Sequence, residues 1–372
     1  MSINLTRTEI LRYARHFPVI GVDGQEKLKA AKVLCIGTGG LGAPALQYLC
    51  AAGVGTLGLV DNDEVSLNNL HRQLLFSELD VGQSKVVCAK KRLSAQNPHI
   101  KINTYQEWFN PDTAEDLVLA YDIILDGSDN YKTRYLINDF SYLHKKPLVS
   151  ASIFQFQGQV SVFNYQDGPC YRCLYAEPPP PELSPSCDVG GVLGVLPGII
   201  GTIQAAEVIK LIVGKGQILS GRLLQCDALT MKFKEYPVKN DPSCPLCHHG
   251  KLSMSLFEKQ AQHHAHTVPE IEATVLASWL KDPTRAIKLI DVREPYERAI
   301  CSIGGELVPS STFNPAEFKV DPTGPIVVYC KAGVRSHKIA LLLKELGYKE
   351  VYTLKGGIVA WMEEIDPTLM MY

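Results

Sequence analysis

The chain has 372 residues, 46% hydrophobic and 20% charged, with 37 basic residues against 39 acidic. That length exceeds one ordinary core and suits two domains. The near-balanced charge holds no dense Lys/Arg run, which removes the electrostatic case for nucleic acid or an anionic membrane and leaves a small protein or metabolite as partner.

The N-terminal MSINLTRTEILRYARHF carries charge throughout and lacks the apolar core of a signal peptide, which predicts a cytoplasmic protein. From Lys32 the pattern predicts a strand (KVLCIG), a glycine turn, a helix (APALQYLCAAG) and a second strand (TLGLVDND). A helix over SKVVCAKKRLSAQ, strands at IKINTY and YDIILDGSDN, a helix over YKTRYLINDFSYLHK and a strand at PLVSAS follow. Strands alternating with helices imply a mostly parallel sheet covered on both faces, a Rossmann-like α/β core.

After Ser152 the rhythm changes to the short alternations IFQFQGQVSVFNY and GRLLQCDALTMKFKEYPV, which predict antiparallel strands that extend the sheet into a mixed one. Between them, EPPPPELSPSC cannot pair as a central strand or continue a helix and is expected to form a crossover. GVLGVLPGIIGTIQAAEVIKLIVG (Gly191–Gly214) is long enough to span a bilayer, but Gln204, Glu207 and Lys210 would form one polar stripe, so a buried core helix is expected. From about Val268 a second alternation begins, ATVLASWL, AIKLIDVRE, PIVVYC, HKIALLLKELGY and VYTLKGG, a smaller α/β unit. These signals divide the chain into residues 1–250, a His-rich linker at 251–267, and residues 268–372.

GTGGLG (Gly37–Gly42) lies between a strand and a helix, so the backbone amides of Gly37, Gly39 and Gly42 can approach a phosphate near a helix N-terminus. Asp61, ending the next strand, stands where a carboxylate accepts ribose hydroxyls. Both features suit NAD equally. Asn69, Arg72, Gln73 and Lys85 follow, and the two cations among them suit a triphosphate. Asp129, in LDGSDN, is placed to hold the accompanying magnesium.

Eleven cysteines, an odd count without a secretion signal, argue against a disulfide framework. Cys35, Cys50, Cys88 and Cys226 sit in apolar patterns as small buried hydrophobes. Cys170 with Cys173 and Cys244 with Cys247 form two CxxC pairs that together satisfy a tetrahedral structural zinc; redox pairs are the alternative. Cys330 ends an apolar strand before a helix beginning near Ser336. Loop amides, the helix N-terminus and Arg335 would there favour a thiolate able to carry a persulfide. Cys187 follows the proline-rich crossover, either as a second reactive thiol or as a loop thiol beside the site.

Several of these segments resemble the MoeB/ThiF family of ubiquitin-activating-type enzymes, from roughly Leu11 to Cys247. The resemblance runs through RYARH (Arg12–His16), GTGGLG, DND at Asp61, NNLHRQ (Asn68–Gln73), GQSK ending at Lys85, DGSDNYKTR (Asp126–Arg134) and SCDVGGVLGVLPGIIG (Ser186–Gly201). It implies that ATP adenylates the C-terminal glycine of a small ubiquitin-like sulfur-carrier protein ending in diglycine. Gly39, Gly40, Gly42 and Asp61 would bind the nucleotide, Asn69, Arg72, Gln73 and Lys85 its phosphates, and Asp129 magnesium. Arg15 matches an arginine that the family supplies from a partner subunit, which implies a homodimer; its other reading is an exposed arginine on an amphipathic helix. The resemblance also implies structural zinc, and it matches Cys187 to a cysteine that some members join to the carrier.

From about Glu270 onward the chain resembles a rhodanese domain, through DVREPYE (Asp291–Glu297), CKAGVRS (Cys330–Ser336) and LKGGIVAW (Leu354–Trp361). Rhodanese-like phosphatases have one residue more between Cys and Arg, so the shorter spacing favours bound sulfur. Where many rhodaneses read GHIPGA, this chain reads CSIGGELVP, with Cys301 incidental. The combined expectation is adenylation of the carrier followed by sulfur delivery from a Cys330 persulfide, with a cysteine desulfurase or thiosulfate as donor. An NAD-dependent oxidoreductase would leave Arg72, Lys85 and Cys330 without a role, and a non-catalytic scaffold would leave the phosphate group of residues idle.

Overall fold

The computed structural model describes residues 4–179, 191–250, 268–315, 318 and 324–370. The chain divides into two compact units, Met1–Glu258 and Lys259–Tyr372. The expected linker at 251–267 lies outside the described residues.

The first unit opens with α1 (Arg7–Arg12), started by a Thr6/Glu9 capping box, and α2 (Phe17–Ala30), broken at Gly21. Then come β1 (Lys32–Ile36), α3 (Gly42–Ala52), β2 (Thr56–Val60), α4 (Lys85–Gln96) and β3 (Lys101–Tyr105). Next are α5 (Pro111–Leu119), β4 (Ile123–Asp126), α6 (Tyr131–Leu143), β5 (Leu148–Phe154) and β6 (Gln157–Phe163). The unit finishes with α7 (Tyr171–Leu174), α8 (Leu196–Val213), β7 (Arg222–Asp227) and β8 (Lys232–Pro237). Helix α5 was not legible in the apolar pattern; Asn110 starts it by accepting from the Asp112 and Thr113 amides, with Pro111 in the first turn.

Eight strands form one sheet in the order β3-β2-β1-β4-β5-β6-β7-β8, parallel as far as β5 and antiparallel beyond it. This is the mixed sheet that the change of rhythm after Ser152 predicts. Side chains alternate across a strand, so Val33 and Cys35 of β1 enter the core on the α3 and α8 side, while Leu34 and Ile36 enter the core holding Tyr135 and Leu136 of α6. The apolar helix α8 belongs to the first of these cores. Two members of its polar stripe are buried and bonded: Gln204 Nε2 donates to Asp126 O at 2.8 Å, and Glu207 Oε2 accepts from the Leu219 amide at 2.9 Å. Strand β8 ends the sheet, exposed along its length.

Strand order reverses between β1 and β4, and in open α/β sheets ligands bind at such a switch, beyond the carboxyl ends of the strands. The two strands run out there into glycines that lie against each other. A Cβ on Gly37 would lie 2.6 Å from Gly127 O, and one on Gly127 would lie 2.7 Å from Gly37 O.

The second unit contains β9 (Glu270–Ile271), α9 (Ala273–Lys281), β10 (Lys288–Asp291), α10 (Pro295–Ile300) and β11 (Glu306–Leu307). It continues with β12 (Ile326–Tyr329), α11 (Val334–Glu345), β13 (Val351–Leu354) and α12 (Gly357–Glu364). Its sheet is wholly parallel, in the order β11-β10-β12-β13-β9, and β12 at its centre is buried at every residue.

Candidate functional site

The turn after β1 is shaped by glycines with two different tasks. Gly37 has φ +91°, and a Cβ on Gly42 would lie 2.0 Å from Gly37 O, so these two close the turn. Gly39 and Gly40 leave room: a Cβ on either would first meet Gln73 Nε2 at 3.3 Å or Pro197 at 3.4 Å. That opening of bare backbone ahead of α3 fits a phosphate chain. Beside it, the Thr38 amide and hydroxyl donate to Asp61 Oδ2 at 2.8 and 2.9 Å, and the Asp63 amide donates to Asp61 Oδ1 at 2.9 Å. A carboxylate accepts about four hydrogen bonds, so Asp61 keeps capacity for a ribose hydroxyl.

The phosphate-binding candidates gather around this turn, and the two cations among them are engaged within the protein. Lys85, buried at the start of α4, places Nζ 2.7 Å from Asp63 Oδ2. Arg72 Nη1 donates to Asn68 O at 3.0 Å and lies 2.8 Å from His71 Nε2. Desolvation and the Arg72 charge lower the pKa of His71, which favours its neutral ring. Gln73 is buried with Oε1 unpartnered, and Asn69 Nδ2 donates to Asn68 Oδ1. Asp129 is exposed just beyond β4, beside Asn130, whose own side chain caps α6. Arg15 is exposed between α1 and α2.

Sequence reasoning assigned no role to Asp126 and Arg134, the two ends of DGSDNYKTR. Asp126 is fully buried; it accepts from the Ser128 amide and hydroxyl and from Ser150 Oγ, and lies 3.3 Å from Arg134 Nε. Arg134 Nη2 donates to Ser128 O at 3.0 Å. This network fixes the loop from which Asp129 projects.

Cys170, Cys173, Cys244 and Cys247 converge, with all four sulfurs within 4.8 Å of one another. The close pairs are 170–173 at 3.8 Å, 170–244 at 3.5 Å and 173–247 at 3.4 Å. Four sulfurs around one tetrahedral zinc stand about 3.8 Å apart, whereas a disulfide needs about 2.05 Å. The arrangement fits a zinc clasp. Crowding divides the thiols: the hydrogen bond between Cys170 and Cys173 raises the first and lowers the second to about 5, while burial raises Cys247 to about 12.

In the second unit Cys330 follows β12 and is buried. The Gly333 amide donates to its Sγ at 3.1 Å, and Ser336 Oγ lies 3.5 Å away. The expected place of Arg335 is revised in one respect: its guanidinium is held in a two-pronged pair by buried Glu297 of α10. Glu297 stands in the DVREPYE motif, yet only folding reveals its partner. Cys301 is buried against Arg293, whose Nη2 donates to Cys301 O at 2.9 Å. Cys187 lies outside the described residues.

The chain matches the ThiF family over residues 12–246 and a Rhodanese-like domain over residues 273–364. It is 44% identical to the probable adenylyltransferase/sulfurtransferase MoeZ of Mycobacterium tuberculosis, across 99% of this chain and 96% of that protein. It is 45% identical to the sulfur carrier protein adenylyltransferase of Thermus thermophilus, across 69% of this chain and 97% of that protein. Among solved structures, E. coli MccB with MccA-N7isoASN aligns at TM-score 0.58 and 24% identity, covering 66% of this chain and 76% of that one, a likeness of fold alone.

Proposed function

This chain belongs to the ThiF family and carries a rhodanese-like domain, and from that premise we propose that it adenylates the C-terminal glycine of a small ubiquitin-like sulfur-carrier protein and then converts it to a thiocarboxylate. What carries the reading is the occurrence, in one chain, of the GTGGLG turn with Asp61, Arg72 and Lys85 around it and of a Cys330 thiol faced by an amide. Residues 1–250 perform the adenylation, 251–267 link, and 268–372 transfer sulfur.

In the first step a carboxylate oxygen of the carrier attacks the α-phosphorus of ATP, and the bond to pyrophosphate breaks. Gly39, Gly40, Gly42 and Asp61 orient the nucleotide. Asn69, Arg72, Gln73 and Lys85 hold its phosphates, with Arg15 supplied by a second copy in a homodimer. Magnesium held by Asp129 would supply charge neutralisation on the leaving phosphates. In the second step the outer sulfur of a Cys330 persulfide attacks the acyl carbon and AMP leaves. An external thiol then attacks the Cys330 sulfur, releasing the thiocarboxylate, and a second external thiol reduces the resulting mixed disulfide; Cys187 is assigned as the thiol that joins the carrier covalently. The persulfide comes from a donor such as a cysteine desulfurase or thiosulfate. The ten described cysteines are all free, which supports a reducing, cytoplasmic setting.

The test mixes the purified chain with magnesium ATP, thiosulfate and individual carriers ending in diglycine, and measures pyrophosphate and the carrier's mass. Pyrophosphate release with oxygen-for-sulfur exchange on the carrier is expected. A carrier panel that never gains AMP would end the proposal.

A further inference from the structure

The segment LKGGIVAW marks the rhodanese resemblance, yet none of its residues has a chemical task above. After β13, Gly356 and Gly357 adopt φ +67° and +63° and lead into α12. The first amides of a helix have no partner within it, and here two of them turn to the thiol loop. Ile358 N donates to Cys330 O at 2.8 Å and Val359 N donates to Lys331 O at 3.2 Å.

Peptide groups are planar and trans, so each N–H points opposite to the carbonyl of its own peptide. Holding the Cys330 and Lys331 carbonyls toward α12 therefore turns the Lys331 and Ala332 amides away from it. One step further along, the Gly333 amide already donates to Sγ. A loop whose amides serve an anion must find donors for its carbonyls on the other side, and α12 provides them.

The approach is possible only because residue 357 has no side chain. A Cβ there would lie 2.4 Å from Lys331 O and 2.5 Å from Cys330 O. A Cβ on Gly356 would instead meet Ala360 Cβ at 2.8 Å, with no loop atom nearer than 3.9 Å. The two glycines thus divide the work, Gly356 making the turn and Gly357 admitting the loop.

We infer that Gly357 is a positioning residue for sulfur transfer, letting the first turn of α12 hold the carbonyls of Cys330 and Lys331 and so set the loop's amides for the sulfur. This rests on Cys330 being the sulfur carrier. The experiment uses the full chain, with iodoacetamide as probe and mass spectrometry of the Cys330 peptide across pH. Gly357→Ala should slow alkylation at neutral pH about tenfold and change its pH profile, because the loop amides are no longer set toward the sulfur. Gly356→Ala, strained in the same turn, should lose thermal stability but keep the wild-type profile. An unchanged profile in Gly357→Ala, or the same shift in both variants, would overturn the inference. Should Gly357→Ala fail to fold, hydrogen exchange on the wild type decides: Ile358 and Val359 amides should be protected like the interior of α11, and exchange at the rate of a free chain would refute the hold. If wild-type Cys330 does not react with iodoacetamide at any pH, the sulfur-carrier reading itself fails, independently of Gly357.

Discussion

At the nucleotide turn the cations are side chains that already have partners, Lys85 on Asp63 and Arg72 on Asn68 and His71. At the thiol loop, backbone contacts stand closest to the sulfur, with the Gly333 amide on Sγ and Arg335 clamped by Glu297. The contrast follows from the charge each must meet. A triphosphate brings more charge than a few amides can balance, so long cations must be available and must be paired in its absence. A thiolate carries one charge, which amide dipoles in a fixed loop can meet without rearrangement.

The largest test of this contrast separates the two regions outright. Cys330→Ala should abolish thiocarboxylate formation while carrier-dependent ATP–pyrophosphate exchange continues, because removing a nucleophile costs on the order of a thousandfold or more. Asp129→Ala should abolish both. Retention of thiocarboxylate without Cys330 would dissolve the distinction.

Stability should divide in the same way. Cys244→Ser should lose metal and lower the melting of the first unit, since structural zinc contributes on the order of 10 kcal/mol to local folding. The second unit's transition should not move. Metal analysis and calorimetry of the full chain check this, and an unaltered first transition would exclude the clasp. Glu297→Gln should destabilise only the second unit, by about 3 kcal/mol, because Arg335 loses its buried anion. Denaturant titration reports it.

The smallest effect belongs to Thr38. Thr38→Val should raise the KM for ATP about fivefold, the value of one hydrogen bond of about 1 kcal/mol to Asp61, with kcat nearly unchanged. Thr38→Ser should restore it. A fall in kcat alone would show that Thr38 acts on something other than nucleotide binding.

Much of this organisation was legible before folding because the signals are local. The strand–GTGGLG–helix order marks the glycine turn ahead of α3, and two CxxC spacings single out four cysteines that the fold brings together, each signal within a short stretch. Alternation after Ser152 announced the antiparallel strands β6, β7 and β8. Pairings between distant segments were hidden. Nothing in the spacing of Asp63 and Lys85, or of Glu297 and Arg335, shows that they meet, since each contact depends on how helices pack on the sheet. The hold of α12 on Cys330 belongs to the same class, joining the turn after β12 to the turn after β13. Helix α5 was missed for another reason: it is announced by its Asn-Pro start rather than by an apolar stripe.

Among the described residues strand β8 has a neighbour strand on one side only, so its other side offers a row of open backbone donors and acceptors to any extended chain nearby. Lys232, Lys234 and Pro237 stand along that row. An incoming strand would have to bring its own backbone up against two ammonium groups and a position with no N–H to share. Crowded copies of the protein are thereby discouraged from stitching their sheets together, and replacing those lysines with valines would be expected to lower the concentration at which the pure protein begins to precipitate.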